Sequence, residues 1–357
     1  MSTKNDLVPG DPNKRRKGLY HEWAERQKIP IIREFFVPDL RKLELGWWER
    51  KGGYGTLLNM IGTREVDDAY VCEIPPGAKL NPDKHLYEEM IFVISGRGQT
   101  EVWNDKGESE TFQWSRGSLF APPLNTRYQH ENLDPKEPAR FLAVTNAPVI
   151  LSIFNSEDFI FRCDYRFGDR YSGEPGYFSK EPESLGGRVW RVNHVSDVYT
   201  HKLIEWERRG KKFGSSHFYL SGNVMVAHIT ELPVGIYAKA HRHGPGAHVV
   251  TLKGEGYSLV WEEGKEIQRF DWGEGSILVP PEGWFHQHFN LGREPLRQLA
   301  LRWNTERHWV LGKSWKLDTD LKEGGDQIGY EDEDPSIRET FEKELRKRGI
   351  ASAMGHI

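Results

Sequence analysis

Cysteine is scarce in this chain, and long apolar runs are missing. Only Cys72 and Cys163 occur among 357 residues, which is too few for a disulfide framework and fits a reducing compartment. The N-terminal segment, residues 1–20, has no apolar core and does not predict a secretory signal. The most apolar stretch, residues 141–154, is interrupted by Asn146 and Pro148 and is too short to cross a bilayer. We therefore expect a cytoplasmic protein without a membrane partner.

Basic residues are not in excess either. Lys and Arg number 49 against 53 Asp and Glu, which gives a formal net charge of −4 and no basic footprint for nucleic acid. Aromatic residues, in contrast, are plentiful, with 13 Trp, 13 Tyr and 17 Phe. Disordered chains are poor in aromatic residues, so most of this chain should fold, and its length favours about two domains.

Two stretches of the sequence match each other at a constant offset of 158 residues. The match needs no gap over more than fifty residues, which indicates a duplicated domain and not a short solenoid unit. The first stretch contributes Gly77, His85, Gly96, Gly98, Trp103, Trp114, Gly117, Pro123, His130 and Asn132. Their counterparts are Gly235, His243, Gly254, Gly256, Trp261, Trp272, Gly275, Pro281, His288 and Asn290.

Local patterns predict strands in both copies and a helix at each end. Apolar and polar residues alternate around positions 69–72, 90–94 and 217–232, between turn-forming Gly and Pro, as is typical of short strands. Residues 19–28 predict a short helix. Near the C-terminus, Asp334 can cap a helix whose first turn accommodates Pro335. The apolar stripe of that helix is Ile337, Phe341 and Leu345.

The second copy carries a cluster of histidines. His241 and His243 are two residues apart, and so are His286 and His288. A strand presents alternate side chains on one face, so each pair points the same way. In a small closed barrel the inward faces of two such strands meet. Three neutral imidazoles bind a borderline divalent metal and leave positions open for water, substrate or O2. We predict that His241, His243 and His286 hold a metal.

These histidines fall in two motifs that resemble the signatures of the cupin family. The segment from Gly235 reads Gly-x5-His-x-His-x4-His, with Gly254 after it. The segment from Gly275 to Asn290 reads Gly-x5-Pro-x-Gly-x2-His-x3-Asn. His248 stands at the position where a cupin usually has Glu. The resemblance implies an all-β fold of two tandem cupin double-stranded β-helix (jelly-roll) barrels with short N- and C-terminal helices, which is a bicupin with a metal inside one barrel.

The resemblance also suggests a division of the chain into five segments. We expect an N-terminal arm with a short helix over residues 1–53 and a first cupin barrel over 54–150. A connector, 151–215, leads to the second barrel, 216–305, and the tail with its helix covers 306–357.

The first copy keeps only part of the metal set. Asp83 and Tyr128 replace two of the three predicted ligands, whereas His85 and Glu89 remain. These side chains could bind a hard cation such as Mg, Ca or Mn, because carboxylate oxygens suit such ions. The alternative is a metal-free barrel that serves packing and dimerisation. We favour the metal-free interpretation.

The surroundings of the histidines resemble those of the gentisate and salicylate ring-cleaving dioxygenases, which are also bicupins. The segments concerned are His241-Arg242-His243 with Ala247, and Trp284-Phe285-His286-Gln287-His288 with Asn290. The resemblance implies a mononuclear Fe(2+) site, with Mn, Ni or Zn as alternatives. It implies a small aromatic substrate with hydroxyl and carboxylate oxygens, ring opening by O2, and a homo-oligomer. In those enzymes the metal lies in the first barrel, whereas here the second barrel has the ligands.

Further roles follow from position along the strands. His248 is either a fourth ligand or an acid or base beside the metal, and His288 either donates to the substrate or fills the barrel. Arg302 either clamps a carboxylate or forms a surface salt bridge. We take His248, His288 and Arg302 as candidate catalytic residues. The candidate substrate-binding residues are Tyr237, Lys239 and Trp284.

Two other classes of function remain open. The first is a metal-dependent lyase, decarboxylase or isomerase of a small organic acid. Bicupin oxalate decarboxylases use Mn with three His and one Glu, and the missing Glu argues against that activity. The second is a non-catalytic ligand-binding bicupin, against which the intact metal set argues. Iron with O2 uptake would favour the dioxygenase, and manganese or nickel with anaerobic turnover would favour the lyase.

Overall fold

Short strands are the main regular structure of the fold, with helices near its ends and between its halves. The computed structural model describes residues 17–104, 106–303 and 315–355. The helices are α1 (Leu19–Arg26), α2 (Ala147–Phe154), α3 (Glu157–Arg162) and α4 (Pro335–Lys347). Both terminal helices were predicted from the sequence. Asp334 caps α4 by accepting a hydrogen bond from the backbone N–H of Ser336, and the predicted apolar stripe is buried.

Within the described residues, eleven strands precede α2 and twelve follow α3. The first set is β1 (Ile31–Ile32), β2 (Phe36–Val37), β3 (Gly46–Trp48), β4 (Gly53–Leu58), β5 (Asp68–Ile74), β6 (Glu89–Ser95), β7 (Arg97–Trp103), β8 (Ser109–Ser115), β9 (Leu119–Phe120), β10 (Arg127–Asn132) and β11 (Ala139–Thr145). The second set is β12 (Glu183–Gly186), β13 (Val189–Val192), β14 (His194–Val195), β15 (Ile204–Glu205), β16 (Gly214–Leu220), β17 (Val226–Leu232), β18 (His248–Lys253), β19 (Gly256–Trp261), β20 (Gln268–Trp272), β21 (Ile277–Leu278), β22 (Phe285–Asn290) and β23 (Leu296–Arg302).

Each half of the chain builds a barrel from one large and one small sheet. In the first barrel the large sheet has the strand order β1-β4-β5-β11-β6-β9-β14, and the small sheet has the order β10-β7-β8. In the second barrel the orders are β12-β13-β16-β17-β23-β18-β21-β2 and β20-β19-β22. The strands β5, β9 and β10 recur as β17, β21 and β22 at the offset of 158 residues. The fold is all-β with two tandem barrels, as the sequence predicted.

The two barrels exchange short strands. Strand β2 lies in the arm before the first barrel, yet it pairs with β21 of the second barrel. Strand β14 lies in the connector and pairs with β9 of the first barrel. The arm therefore adds a strand to the large sheet of the second barrel, and the connector adds one to the large sheet of the first. The segment boundaries proposed from the sequence stay a prediction.

The large sheets bury one face between the barrels and turn the other inward. On β5, Val71 belongs to a hydrophobic core that both barrels share, whereas Tyr70 points into the first barrel. On β17, Ile229 lies in the shared core, whereas His228 faces the interior of the second barrel. This alternation is the period of two that strands impose. It decides which polar side chains can meet inside a barrel.

Helix α4 closes one side of the second barrel. Its Phe341 is fully buried and packs against Tyr237 and Phe289, with ring centroids 5.0 and 5.7 Å away. Among the described residues, no helix has the length and apolarity needed to cross a membrane.

Candidate metal centre

The three predicted ligands lie together inside the second barrel. His241 and His243 belong to the segment between β17 and β18, and His286 lies on β22. The backbones of His241 and His286 exchange hydrogen bonds of 3.1 and 2.9 Å, which fixes the two segments side by side. The ring of His286 has its centroid 4.2 Å from that of His241 and 4.6 Å from that of His243. The nitrogen atoms available for a metal all lie within 4.8 Å of one another.

Backbone carbonyls orient the three rings. The Nδ1 atoms of His241, His243 and His286 lie 3.4, 2.6 and 3.4 Å from the carbonyl oxygens of Lys239, Gly244 and Trp284. A carbonyl only accepts, so each Nδ1 carries the ring proton and each Nε2 keeps a lone pair. Outer hydrogen bonds of this kind fix the tautomer that a metal needs. The donor set therefore fits a divalent metal bound by three neutral imidazoles.

The same rings are held neutral by their surroundings. Burial lowers the pKa of His241 and His286 well below the ordinary value, and burial together with Arg302 lowers the pKa of His243 to about 3. The nearby guanidinium of Arg209 acts in the same direction on all three. Protons consequently compete weakly with a metal at neutral pH.

The triad opens into a cavity of about 200 Å³ inside the barrel. Three arginines, Arg188, Arg209 and Arg302, line this cavity. Asp318 is the only carboxylate among the lining residues in the described part of the chain, and it lies 3.3 Å from both Arg188 and Arg209. Two of the three arginines, Arg188 and Arg209, thus share a single carboxylate.

His288 also lines the cavity and has a defined hydrogen-bond role. The indole N–H of Trp272 donates to Ser258 Oγ over 2.8 Å, and Ser258 Oγ lies 2.7 Å from His288 Nδ1. The serine can donate its own proton to Nδ1, which leaves Nε2–H as a donor. Burial lowers the pKa of His288 to about 4, so the ring is neutral. Trp114, Thr100 and His130 form the same chain in the first barrel.

Sequence reasoning missed four cavity residues: Arg188, Arg209, His217 and His228. The rings of His217 and His228 stack with centroids 4.9 Å apart, on the paired strands β16 and β17. Alternation could have identified His228, because its neighbours Ala227 and Ile229 are apolar. A second signal was available for Arg209. Trp206-Glu207-Arg208-Arg209-Gly210 repeats Trp48-Glu49-Arg50-Lys51-Gly52 at the same offset of 158.

His248 does not join the triad. On β18, His248 shares its face with Val250 and Leu252, which lie in the core between the barrels, whereas Ala247 and Val249 line the cavity. The repeat offset places Ala247, not His248, opposite Glu89 of the first barrel. A shift of one residue along a strand moves a side chain to the other face. The structure therefore places His248 on the face of β18 opposite the cavity, away from the position that a fourth ligand or an acid–base group would need.

The three candidate substrate-binding residues also lie outside the cavity. Tyr237 is fully buried against α4 and donates a hydrogen bond to Glu333. The ammonium of Lys239 lies 3.4 Å from Asp320, and Trp284 stacks on Phe35. None of the three belongs to a regular strand. The isolated bridges Tyr237–Phe289 and His241–His286 also differ by one residue in register, so the parity counted from His241 does not extend to Tyr237.

The centre of the first barrel is occupied by protein groups. Asp83 accepts two hydrogen bonds from Arg50, at 2.8 and 2.6 Å, and lies 2.8 Å from the ammonium of Lys51. Glu89 accepts from Tyr128 over 2.6 Å and also from Tyr70. Burial alone would raise the pKa of Asp83, but Lys51 and Arg50 outweigh it and hold that pKa well below the ordinary value. Both carboxylates thus have partners within the protein.

Comparison with known proteins agrees with this architecture. A cupin domain model matches residues 70–145. The fold resembles a mutant of Bacillus subtilis oxalate decarboxylase, with TM-score 0.50, 17% sequence identity, and coverage of 79% of this chain and 85% of that one. It also resembles Lactobacillus farciminis oxalate decarboxylase in its formate complex, with TM-score 0.50, 17% identity, and coverage of 76% and 86%. No curated protein sequence matches the chain significantly. The first copy of the repeat thus matches a cupin domain model, and the two-barrel fold resembles that of the oxalate decarboxylases.

Proposed function

We propose that the second barrel is the active site of a metal-dependent enzyme that acts on a small organic acid. The observation that carries the proposal is the position of His241, His243 and His286, neutral and converging, at the wall of a cavity lined by three arginines and one carboxylate. Buried charge is costly unless it is paired. A small anionic substrate fits a cavity with arginines in its lining.

Each cavity residue has a task that follows from its chemistry. The metal, when bound, would act as a Lewis acid with open positions for substrate oxygens. Arg302 would hold a carboxylate with its planar fork of N–H donors. His288 would donate a hydrogen bond from Nε2, because Ser258 satisfies its Nδ1. Side chains of β16, β17 and β23 line the cavity in which the substrate would bind.

The first candidate reaction is O2-dependent cleavage of a hydroxylated, carboxylated aromatic acid with Fe(2+). The histidine motifs resemble those of gentisate and salicylate dioxygenases, and the metal has no protein carboxylate among its three ligands. The cavity also offers no unpaired carboxyl group, among the lining residues that the structure describes, to serve as a general acid. Chemistry driven by O2 and a chelated substrate has less need of such a group.

The second candidate is decarboxylation, or a related lyase or isomerase reaction, of a small organic acid, with Mn as the metal. The observation in its favour is the fold shared with oxalate decarboxylases. A non-catalytic ligand-binding bicupin is the third alternative. Every candidate function has a small molecule as its binding partner. The homo-oligomer stays a prediction, which a measurement of molar mass by light scattering would test.

One experiment separates these candidates. The full chain would be purified without oxygen, its metals quantified, and substituted salicylates, hydroquinones and oxalate supplied with and without O2. The first candidate requires iron and O2 uptake with an aromatic acid. Manganese with anaerobic release of CO2 would favour the second. A protein that binds no divalent metal at the triad would refute both.

A further inference from the structure

The two barrels carry a buried cation at the same repeat position. Lys51 and Arg209 are separated by 158 residues, within the matching segments Trp48–Gly52 and Trp206–Gly210. Their backbones are held alike. The carbonyl of Lys51 accepts a hydrogen bond from Asn81 N over 2.7 Å, and that of Arg209 accepts from Lys239 N over 3.0 Å. Asn81 and Lys239 are also 158 residues apart, so both cations enter their barrels from equivalent points.

In the first barrel this cation has a complete set of partners. The ammonium of Lys51, which is 2% exposed, lies 2.8 Å from Asp83 and donates to Tyr70 over 2.9 Å. Tyr70 in turn donates to Glu89. The protein itself thus supplies the anions that a buried ammonium needs.

In the second barrel the equivalent positions provide no anion. The repeat replaces Asp83 by His241, Glu89 by Ala247 and Tyr70 by His228. None of the three replacements carries a carboxylate, so none can take the place of Asp83 or Glu89 beside the cation.

Arg209 retains an unsatisfied donor in this setting. Its contact with Asp318 is 3.3 Å long, and Asp318 is shared with Arg188 at the same distance. Nη1 of Arg209 is buried without a hydrogen-bond partner, and the whole residue is only 8% exposed. A buried guanidinium N–H without an acceptor is costly and calls for an explanation.

We propose that Arg209 binds a carboxylate of the substrate, and that the substrate is a small dianion whose other anionic group faces the histidine triad. In the first barrel the carboxylate of Asp83 occupies the equivalent place beside Lys51. The inference rests on the proposed function, since it assumes that the triad holds a metal, and it adds the class of substrate.

The test compares probes that differ in one carboxylate. Metal-loaded full-length protein would be titrated calorimetrically with malonate and succinate, and with acetate and propionate as monoanions. We expect the dianions to bind at least about tenfold more tightly, because each adds a charge-assisted hydrogen bond. Arg209→Met should abolish this preference while the bound metal stays constant.

Two further variants keep the test decisive. Arg208→Met removes the same charge from the exposed neighbouring residue and should keep the preference. Arg209→Lys, which copies the residue of the first barrel, should retain part of it and covers the case in which Arg209→Met does not fold. Equal loss in Arg208→Met and Arg209→Met, or no preference for dianions in the wild type, would overturn the inference. Failure of the triad to bind metal would instead refute the proposed function.

Discussion

The Oδ2 atom of Asp67, in the first barrel, lies 3.9 Å from the Nδ1 atom of His248, in the second. Both side chains are fully buried, and burial shifts both towards the neutral form, with the pKa of Asp67 raised well above its ordinary value and that of His248 lowered to about 4. His248 therefore belongs to the contact between the barrels. The side chain that takes the usual cupin glutamate position inside the barrel is Ala247.

Because Ala247 and His248 lie on opposite faces, a glutamate introduced at each position should affect metal binding differently. Ala247→Glu places a carboxylate inside the cavity, where Glu89 of the first barrel lies 3.7 Å from Nε2 of His85, the counterpart of His243. We expect metal affinity to rise on the order of tenfold and turnover to fall, because an open position is taken. His248→Glu should leave metal affinity unchanged and lower stability by about 3 kcal/mol, since it buries a charge beside Asp67. Metal titration and urea unfolding measure both; tighter metal binding in His248→Glu would contradict this assignment.

Removal of a triad histidine should separate metal binding from folding. His286→Ala is expected to lower metal affinity at least about a hundredfold, because a direct ligand contributes more than an outer hydrogen bond, and to abolish turnover. The barrel core consists of other residues, so circular dichroism should stay native. Tyr128→Ala is the matched variant at the equivalent position of the first barrel. It should reduce stability without loss of metal, and loss of turnover in Tyr128→Ala with metal still bound would show that the barrels do not divide the work in this way.

The ion pair at the centre of the first barrel should contribute strongly to stability. Lys51→Met leaves Asp83 with only Arg50 and is expected to cost about 3 kcal/mol or more. Asp83→Asn should cost a similar amount. The double variant should cost about 1–3 kcal/mol less than the sum, because the two residues interact directly. Urea unfolding of the four proteins gives the coupling, and metal content of the second barrel serves as the control. Additive costs would mean that the pair does not interact.

Stability should fall as the pH is lowered from about 6.5 to about 4, in part through His130. Burial lowers the pKa of His130 to about 4 in the folded protein, whereas the unfolded chain takes up this proton near 6.5. The folded state thus binds fewer protons in this window, and its stability is complete above 6.5 and lost as the pH falls towards 4. The contribution is about 3 kcal/mol. Unfolding of metal-free wild type and His130→Gln at both ends of the window measures it. Identical pH dependence of the two proteins would contradict the prediction.

The spacing of residues in the sequence predicted the strands, the terminal helices and the histidine triad. Which other residues line the cavity depends on tertiary contacts. The triad followed from motif spacing, because ligands on regular or nearly regular strands keep a period of two. Tyr237 and Trp284 lie outside the cavity, and a register shift of one residue between Tyr237 and His241 interrupts that period. Arg209 was missed because its meaning depends on which anions surround it in three dimensions. The comparison with Lys51 shows that Arg209 lacks an equivalent anionic partner, and this comparison requires the structures of both barrels.

The exchange of β2 and β14 also determines how this molecule can be taken apart. A gene cut between the barrels would yield an N-terminal product whose β9 has lost a neighbouring strand, and a C-terminal product whose β21 has lost one too. Each fragment would expose the unpaired edge that its other half normally covers, and such edges promote aggregation. Although the sequence still records an ancestral doubling, its two copies have become mutually dependent for their completion.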